Sequence, residues 1–522
     1  MSSHYLFRNA TVVDGTGTPA QVADVAVREG RIASVGECPA LGDEIEVDAR
    51  DHILCPGFID MHSHADFSLL SQNRTLNLVA QGITFVVTGN CGSSAAPTYG
   101  DDPGDGRWEG SLPEWLQQIE RLGTGVNVAT LVGQGSVRGA VMGTETTRGA
   151  SDEEIEAMRE MVSEALQAGA YGLSTGRDYV PGCYASPAEI RAVGADLGRF
   201  EGAFYASHLR DEADGLLEAV QEAVDIARNL EVPAQLAHHK SMIPHNWGQS
   251  IQSLGAIDSA RARGHRVRLD VYPYTFAAAM TILDLLPPWF TRNGEQDAVH
   301  SMRQRTEFER LSADLHSGYP GWKSSLGDFD WGYTVLRHPE SSTLVGRTVR
   351  QIATDRGIDP VEVVRELVIG SEGQAVCAFA MAEEDVQRIL LHPHSSVCTD
   401  APVIDEPSES KRVIHPRSFG TYPRLLGRYV RDLGLLSLEE AIYKSSGLPA
   451  RWLGLADRGV IRRGSRADIV VFDPEAVSDR ATLDDPCRYP DGIHWVLVNG
   501  TPVVREGQTT GMTPGDVVRR RT

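Results

Sequence analysis

Between residues 53 and 399 the chain repeats one alternation, an apolar run of five to eight residues or so followed by a helical stretch, and eight such runs can be marked. They are Ile53–Met61, Ile83–Gly89, Asn127–Gly133, Ala170–Thr175, Ala203–Ser207, Val232–Ala237, Val267–Tyr272 and Ser395–Thr399. Uninterrupted apolar runs separated by helices are the mark of parallel strands buried on both faces. The helices carry their own signals. In "SDEEIEAMREMVSEALQAGA" Ser151 can cap, Glu154 completes a capping box, and Ile155, Met158, Met161, Val162 and Leu166 make one apolar stripe. Eight βα units imply an α/β fold of the (β/α)8 TIM-barrel type. About 120 residues separate the seventh and eighth runs. We read about 285–390 as an insertion placed to cover the barrel mouth.

The two ends differ from this middle. Residues 1–55 read as short strands and glycine turns, and the same texture returns after residue 457 in "RGVIRRGSRADIVVFDPEAV" and "IHWVLVNGTPVVREGQTTG". The expected layout is a small β-sandwich domain built from 1–55 plus 457–522, flanking a barrel at 56–456.

A formal charge of −22 repels nucleic acid and anionic membrane surfaces, so neither is an expected partner. Seven cysteines, odd in number and never paired as CxxC, speak against a disulfide framework and for a reducing cytoplasm. No run is apolar and long enough to span a bilayer. Oligomeric state is not legible here.

Polar residues closing barrel strands line the active site of such folds. The first run ends in "HSH", and His62 and His64, two apart, project to one face with Cβ atoms roughly 6–7 Å apart. The second ends at Cys91, the fifth at His208, the sixth at His238, His239 and Lys240, the seventh at "DVYPY" and the eighth at Asp400. Taken singly, each histidine can be a satisfied core residue and Cys91 an inert buried thiol. Together, imidazoles, a thiol and a carboxylate at one end of the strands point to a divalent cation, and an N/S donor set points to Zn²⁺. Neighbouring strand residues face opposite ways, so only one of His238 and His239 can point inward; parity with Leu236 and Lys240 selects His238.

The stretches "PGFIDMHSHADF", "GITFVVTGNCGSSAAP", "AYGLSTGRDYVPGCYA", "YASHLRDE", "LAHHK", "DVYPYT", "HPRSFGTYPRLLGRYVRD" and "RADIVVFDP" resemble the amidohydrolase superfamily, and within it the N-acyl-D-amino-acid deacylase (D-aminoacylase) branch. The resemblance implies a metal-dependent barrel in which Cys91, His208 and His238 hold one Zn²⁺ tightly. It implies that His62 and His64 face a second, weaker position and that Asp400 is the catalytic base. It also implies a carboxylate clamp for a small-molecule substrate, drawn from Lys240, Tyr179, Tyr272, Tyr274 and Arg417. His415 lies in the same suggestive loop. Two departures, "TDAPVIDEPSES" after the aspartate and Arg177–Asp178 where a Leu-Glu pair is common, fall where substrate is expected to touch.

The expected reaction is hydrolysis of an N-acyl-D-amino acid or a related N-acyl compound, with Asp400 as general base and then acid. Opening of a cyclic imide or lactam, cleavage of a dipeptide-like or natural-product amide, and a catalytically silent binding paralogue are the alternatives.

Overall fold

The structure is a computed structural model that describes residues 4–97, 108, 110–143, 145–319, 322, 324–406 and 413–521. Its centre is a succession of parallel strands: β1 (Phe58–Asp60), β2 (Ile83–Thr88), β3 (Asn127–Thr130, resuming at Val132–Gly133), β4 (Gly172–Gly176), β5 (Phe204–His208), β6 (Ala234–Leu236), β7 (Val267–Val271) and β8 (Ser395–Val397). β1, β2 and the first part of β3 form one sheet; Val132–Gly133 continues into a second that runs through β4, β5, β6 and β7 to β8. Registers such as Gly176 with His208 and Val271 with Val397 hold these C-terminal strand ends level. Just beyond β8, Asp400 N–H donates to the His62 carbonyl at 2.8 Å and His64 N–H donates to the Ala401 carbonyl at 2.9 Å. The chain segments leaving β8 and β1 therefore lie side by side.

The connecting helices form where the sequence carries caps and stripes. Helix Asp152–Gln167 has the capping box of Ser151 and Glu154 and buries Met158, Val162, Ala165 and Leu166. Helices Leu216–Asn229 and Ser250–Ala262 bury their apolar faces in the same central core.

Both ends of the chain meet in one nine-stranded sheet, joined where Ile469–Phe472 runs antiparallel to Ile53–Pro56. Phe7, Val25, Leu54, Val471 and Trp495 pack into its core. The run read as one strand, Ile53–Met61, is thus divided: Ile53–Pro56 serves the terminal sheet and Phe58–Asp60 opens the parallel succession. The chain crosses at Gly57, where a Cβ would overlap the Thr84 side chain, so only glycine lets the two sheets approach.

Between β7 and β8 a small antiparallel sheet of Met280–Thr281, Val376–Ala378 and Thr334–Arg337 sits among helices with its own core, which takes in Met242 and Ile243 from the segment after β6. Ile243 N–H and Trp247 Nε1 both donate to the Ala380 carbonyl at 3.2 Å. Helix Glu383–Leu391, at the end of the stretch read as an insertion, packs on Ser250–Ala262, β7 and β8. Among the described residues no helix is long and apolar enough to cross a membrane.

Candidate metal centre

Cys91, His238 and Asp400 each leave a strand end with positive φ, at 55°, 33° and 51°. Such backbone costs roughly 1–3 kcal/mol per residue and persists only where the surroundings enforce it. Here they do. Gly92 N–H donates to Ser174 Oγ at 3.0 Å, His238 N–H donates to Asp270 Oδ1 at 2.6 Å, and Asp400 is held by the His62 carbonyl. Gly92 itself has φ 73°, and a Cβ there would overlap the Gly176 backbone, so the turn after Cys91 requires glycine.

These turns converge. Cys91 Sγ lies 3.2 Å from His62 Nε2, 3.3 Å from His238 Nε2 and 3.7 Å from His208 Nδ1, and His208 Nδ1 lies 2.9 Å from His238 Nε2. Asp400 Oδ1 lies 3.2 Å from His64 Nε2 and 3.5 Å from His62 Nε2. Three sets, His62/His64/Cys91, Cys91/His208/His238 and His62/His238/Asp400, each bring their donor atoms within 4.8 Å of one another. The sequence-selected residues His62, His64, Cys91, His208, His238 and Asp400 are therefore all in one cluster. His239 faces the other way, its Nε2 2.8 Å from Ser253 Oγ.

Burial holds His62, His208 and His238 well below the usual imidazole range, so they are neutral rings with a lone pair each to offer. Burial also pushes the Cys91 thiol up, so that sulfur becomes a thiolate only beside a cation. Burial opposes ionisation of Asp400 as well, but the Arg417 guanidinium and the hydrogen bond from His64 outweigh it and hold the carboxyl well below its usual range. His64 is the exception among the rings: against burial, Asp400 and Cys91 hold it well above the ordinary imidazole range. Neutral nitrogens and a sulfur converging with a carboxylate at the edge fit the donor preference of Zn²⁺.

Around this cluster lie carboxylates that sequence reasoning did not single out. Asp60 accepts from His62 N–H at 3.1 Å and from Thr399 N–H at 3.0 Å, tying β1 to β8. Asp270 Oδ1 lies 3.6 Å from His62 Nδ1, and Glu212 Oε1 lies 3.1 Å from His238 Nδ1. All three stand in the quoted stretches "GFIDMH", "DVYPY" and "SHLRDE", so adjacency to the candidate donors was the available signal.

The clamp candidates divide. Arg417 Nη1 is 2.8 Å from Asp400 Oδ2, and its guanidinium stacks on the Tyr272 ring at 4.6 Å. Neither its Nε nor its Nη1 has a partner in hydrogen-bond geometry among the described residues. Tyr179 brings its hydroxyl to 2.8 Å from His208 Nδ1. Lys240 is committed to Glu212, donating to both carboxylate oxygens at 2.7 and 2.8 Å. Tyr274 turns from the cluster, its hydroxyl donating to the Pro416 carbonyl at 3.4 Å and its ring against Arg424. His415 Nε2 bonds the Phe276 carbonyl at 3.1 Å, a structural role.

Arg177, expected near substrate, is instead buried. It donates to Glu222 at 3.0 Å and to the carbonyls of Gly182 and Ala185 at 3.0 and 2.6 Å, pinning the loop that carries Tyr179. Residues 407–410 of "TDAPVIDEPSES" lie outside the described residues.

With the geometry in place, the comparisons agree with one another. The family model described as "Amidohydrolase family" matches residues 46–268 and 374–504, leaving out the two ends of the chain and residues 269–373, which carry two of the three strands of the small antiparallel sheet. The D-aminoacylase of Alcaligenes xylosoxydans xylosoxydans is 37% identical over 99% of this chain and 97% of its own. The N-acyl-D-aspartate deacylase of the same organism is 37% identical over 98% of this chain and 96% of its own. A crystal structure of D-aminoacylase, described as defining a novel subset of amidohydrolases, superposes with TM-score 0.79 at 35% identity over 99% of both chains. The N-acyl-D-glutamate deacylase of Bordetella bronchiseptica, complexed with zinc and a phosphonate inhibitor that mimics the reaction's tetrahedral intermediate, gives 0.76 at 34%, over 99% of this chain and 100% of its own. On its sequence, its fold and the family model alike, the chain belongs to the amidohydrolase family.

Proposed function

We propose that the chain is a Zn²⁺-dependent hydrolase that cleaves the amide bond of N-acyl-D-amino acids or closely related N-acyl compounds. The observation that carries this is the convergence of Cys91, His208 and His238 beside Asp400, whose Oδ2 lies 2.8 Å from Arg417 Nη1. Names borne by relatives at 36–37% identity over essentially the full chain supply the substrate class. Cys91, His208 and His238 would hold the tightly bound ion, with His62 and His64 at a second, weaker position.

Zn²⁺ bound there supplies Lewis acidity and lowers the pKa of water from 15.7 toward about 7. The rest belongs to the protein. Asp400 takes the proton of the attacking water and afterwards delivers it to the departing nitrogen. Tyr179, with its hydroxyl beside His208, is placed to donate to the carbonyl oxygen as charge builds on it. Arg417, stacked on Tyr272 with donor capacity in reserve, takes the substrate carboxylate. Lys240, paired with Glu212, packs over the Tyr272 ring, and Tyr274 bonds the Pro416 carbonyl next to Arg417.

This reading takes 56–456 as a closed (β/α)8 barrel with an insertion at about 285–390. The hydrogen bonds between the tails of β8 and β1 support closure. It takes 1–55 with 457–522 as one β-domain of sandwich type, in keeping with the shared sheet. A cytoplasmic setting accords with seven cysteines that are odd in number and never paired as CxxC.

The test is a panel of N-acetyl-D- and N-acetyl-L-amino acids assayed for amine release, with zinc content measured on the same preparation. D-selective release by the zinc-loaded protein is expected. Zinc-loaded protein that spares every D substrate, or prefers the L series, refutes the assignment.

A further inference from the structure

Glu212 stands four residues beyond His208 and is 3% exposed. Its Oε1 lies 3.1 Å from His238 Nδ1, and its two carboxylate oxygens accept from Lys240 Nζ. Lys240 Nζ in turn lies 2.6 Å from that same Nδ1. One ring nitrogen therefore faces an acceptor and a donor together, and a neutral imidazole has one proton to place.

The two placements have opposite consequences. If Nδ1 accepts from Lys240, the proton sits on Nε2, which is 3.3 Å from Cys91 Sγ, and no lone pair is left there for a cation. If Nδ1–H donates to Glu212, the Nε2 lone pair faces Cys91 and His208. The backbone does not let the ring avoid the choice, because His238 N–H is bound to Asp270 and Met242 N–H fixes the Glu212 carbonyl at 2.8 Å.

We propose that Glu212 is the positioning residue of the metal centre. It keeps the His238 proton on Nδ1, and by occupying Lys240 it prevents that side chain from imposing the other tautomer. The inference rests on the metal-centre reading above and adds to it a residue and a direction of effect. Carboxylates behind a ligating histidine commonly change metal affinity by about 10–100-fold. What is particular here is the competing lysine, which makes loss of Glu212 worse than loss of both.

Zinc affinity, measured by chelator competition on the full chain with folding followed by circular dichroism, separates these cases. E212Q is expected to weaken zinc by about tenfold or more. E212Q/K240M is expected to recover most of that loss, and K240M alone to bind at least as tightly as the unmodified protein. A glutamate that merely stabilises the fold gives losses that add, with no recovery. E212Q binding zinc like the unmodified protein, or a double variant no tighter than E212Q, overturns the proposal. Should E212Q not fold, K240M alone decides: retained affinity supports the proposal and a loss of about tenfold overturns it. C91S separates the two levels of inference, because a C91S protein that binds zinc normally removes the metal-centre reading itself.

Discussion

Replacing Asp400 by Asn tests the chemistry with the least disturbance to the frame. Asparagine tolerates the positive φ of 51° at this position, and the bond from its N–H to the His62 carbonyl is untouched. What goes is the charge and the ability to accept a proton. A positioned general base contributes about 10²–10⁴-fold, which at 1.36 kcal/mol per decade is about 3–5 kcal/mol of barrier. Asp400 is also the counter-charge to Arg417, whose side chain is 8% exposed, so D400N should lower Tm as well. The assay therefore measures kcat and KM well below the variant's own Tm, with zinc determined on the same sample. We expect kcat to fall by two to four decades, KM to stay level or drop because Arg417 becomes freer for the substrate carboxylate, and zinc to stay bound through Cys91, His208 and His238. D400N with kcat within about tenfold of the parent, or with its zinc gone, refutes the reasoning.

Cys91→Ser should leave zinc content far below that of the parent after dialysis against a mild chelator, since a hydroxyl is a poorer zinc donor than a thiolate; undiminished zinc would assign the ion to other donors. Gly92→Ala puts an L side chain at φ 73° against the Gly176 backbone, so it should lose at least about 1–2 kcal/mol in denaturant titration and bind zinc more weakly, and a variant matching the parent in both would contradict the turn geometry. His239, which burial pushes down from 6.5 to about 4, gives a pH signature. The unfolded chain takes its proton first, so the stability it contributes is complete above pH 6.5 and declines as pH falls toward 4, by up to about 3 kcal/mol. His239→Gln should flatten that decline while keeping zinc, whereas His238→Gln should lose zinc; equal zinc loss in both would place the wrong ring inward.

The clustered residues were legible as candidate donors because strand periodicity and strand ends are local properties. His62 and His64 share a face by their spacing, and His239 turns away to Ser253, but what separates it from His238 is the turn at His238, with φ 33° beyond the end of β6, and not strand parity. The division of Ile53–Met61 was hidden for the opposite reason. Nothing in "ILCPGFIDM" says that its two halves pair with different sheets, since that depends on Ile469–Phe472, more than 400 residues away, and on the approach of Thr84 to Gly57.

Glu212, Asp270 and Arg177 show the harder limit. Each is a charged residue in a stretch that looked functional, and sequence gives no way to tell a side chain that meets substrate from one that supports those that do. Arg177 stood where a substrate contact was expected, yet it bonds two carbonyls and Glu222 to fix the loop bearing Tyr179. Lys240 looked like a clamp and is held by a carboxylate from the turn after the preceding strand. Buried charges must be paired, so every ion near the centre implies a partner whose position only the fold supplies. For an N-acyl substrate the consequence is specific. On the proposed reading, Arg417, whose Nε has no hydrogen-bond partner among the described residues, would meet the substrate carboxylate from within the Asp400–Arg417–Tyr272 arrangement, and the pair Glu212–Lys240 would act on the reaction through His238.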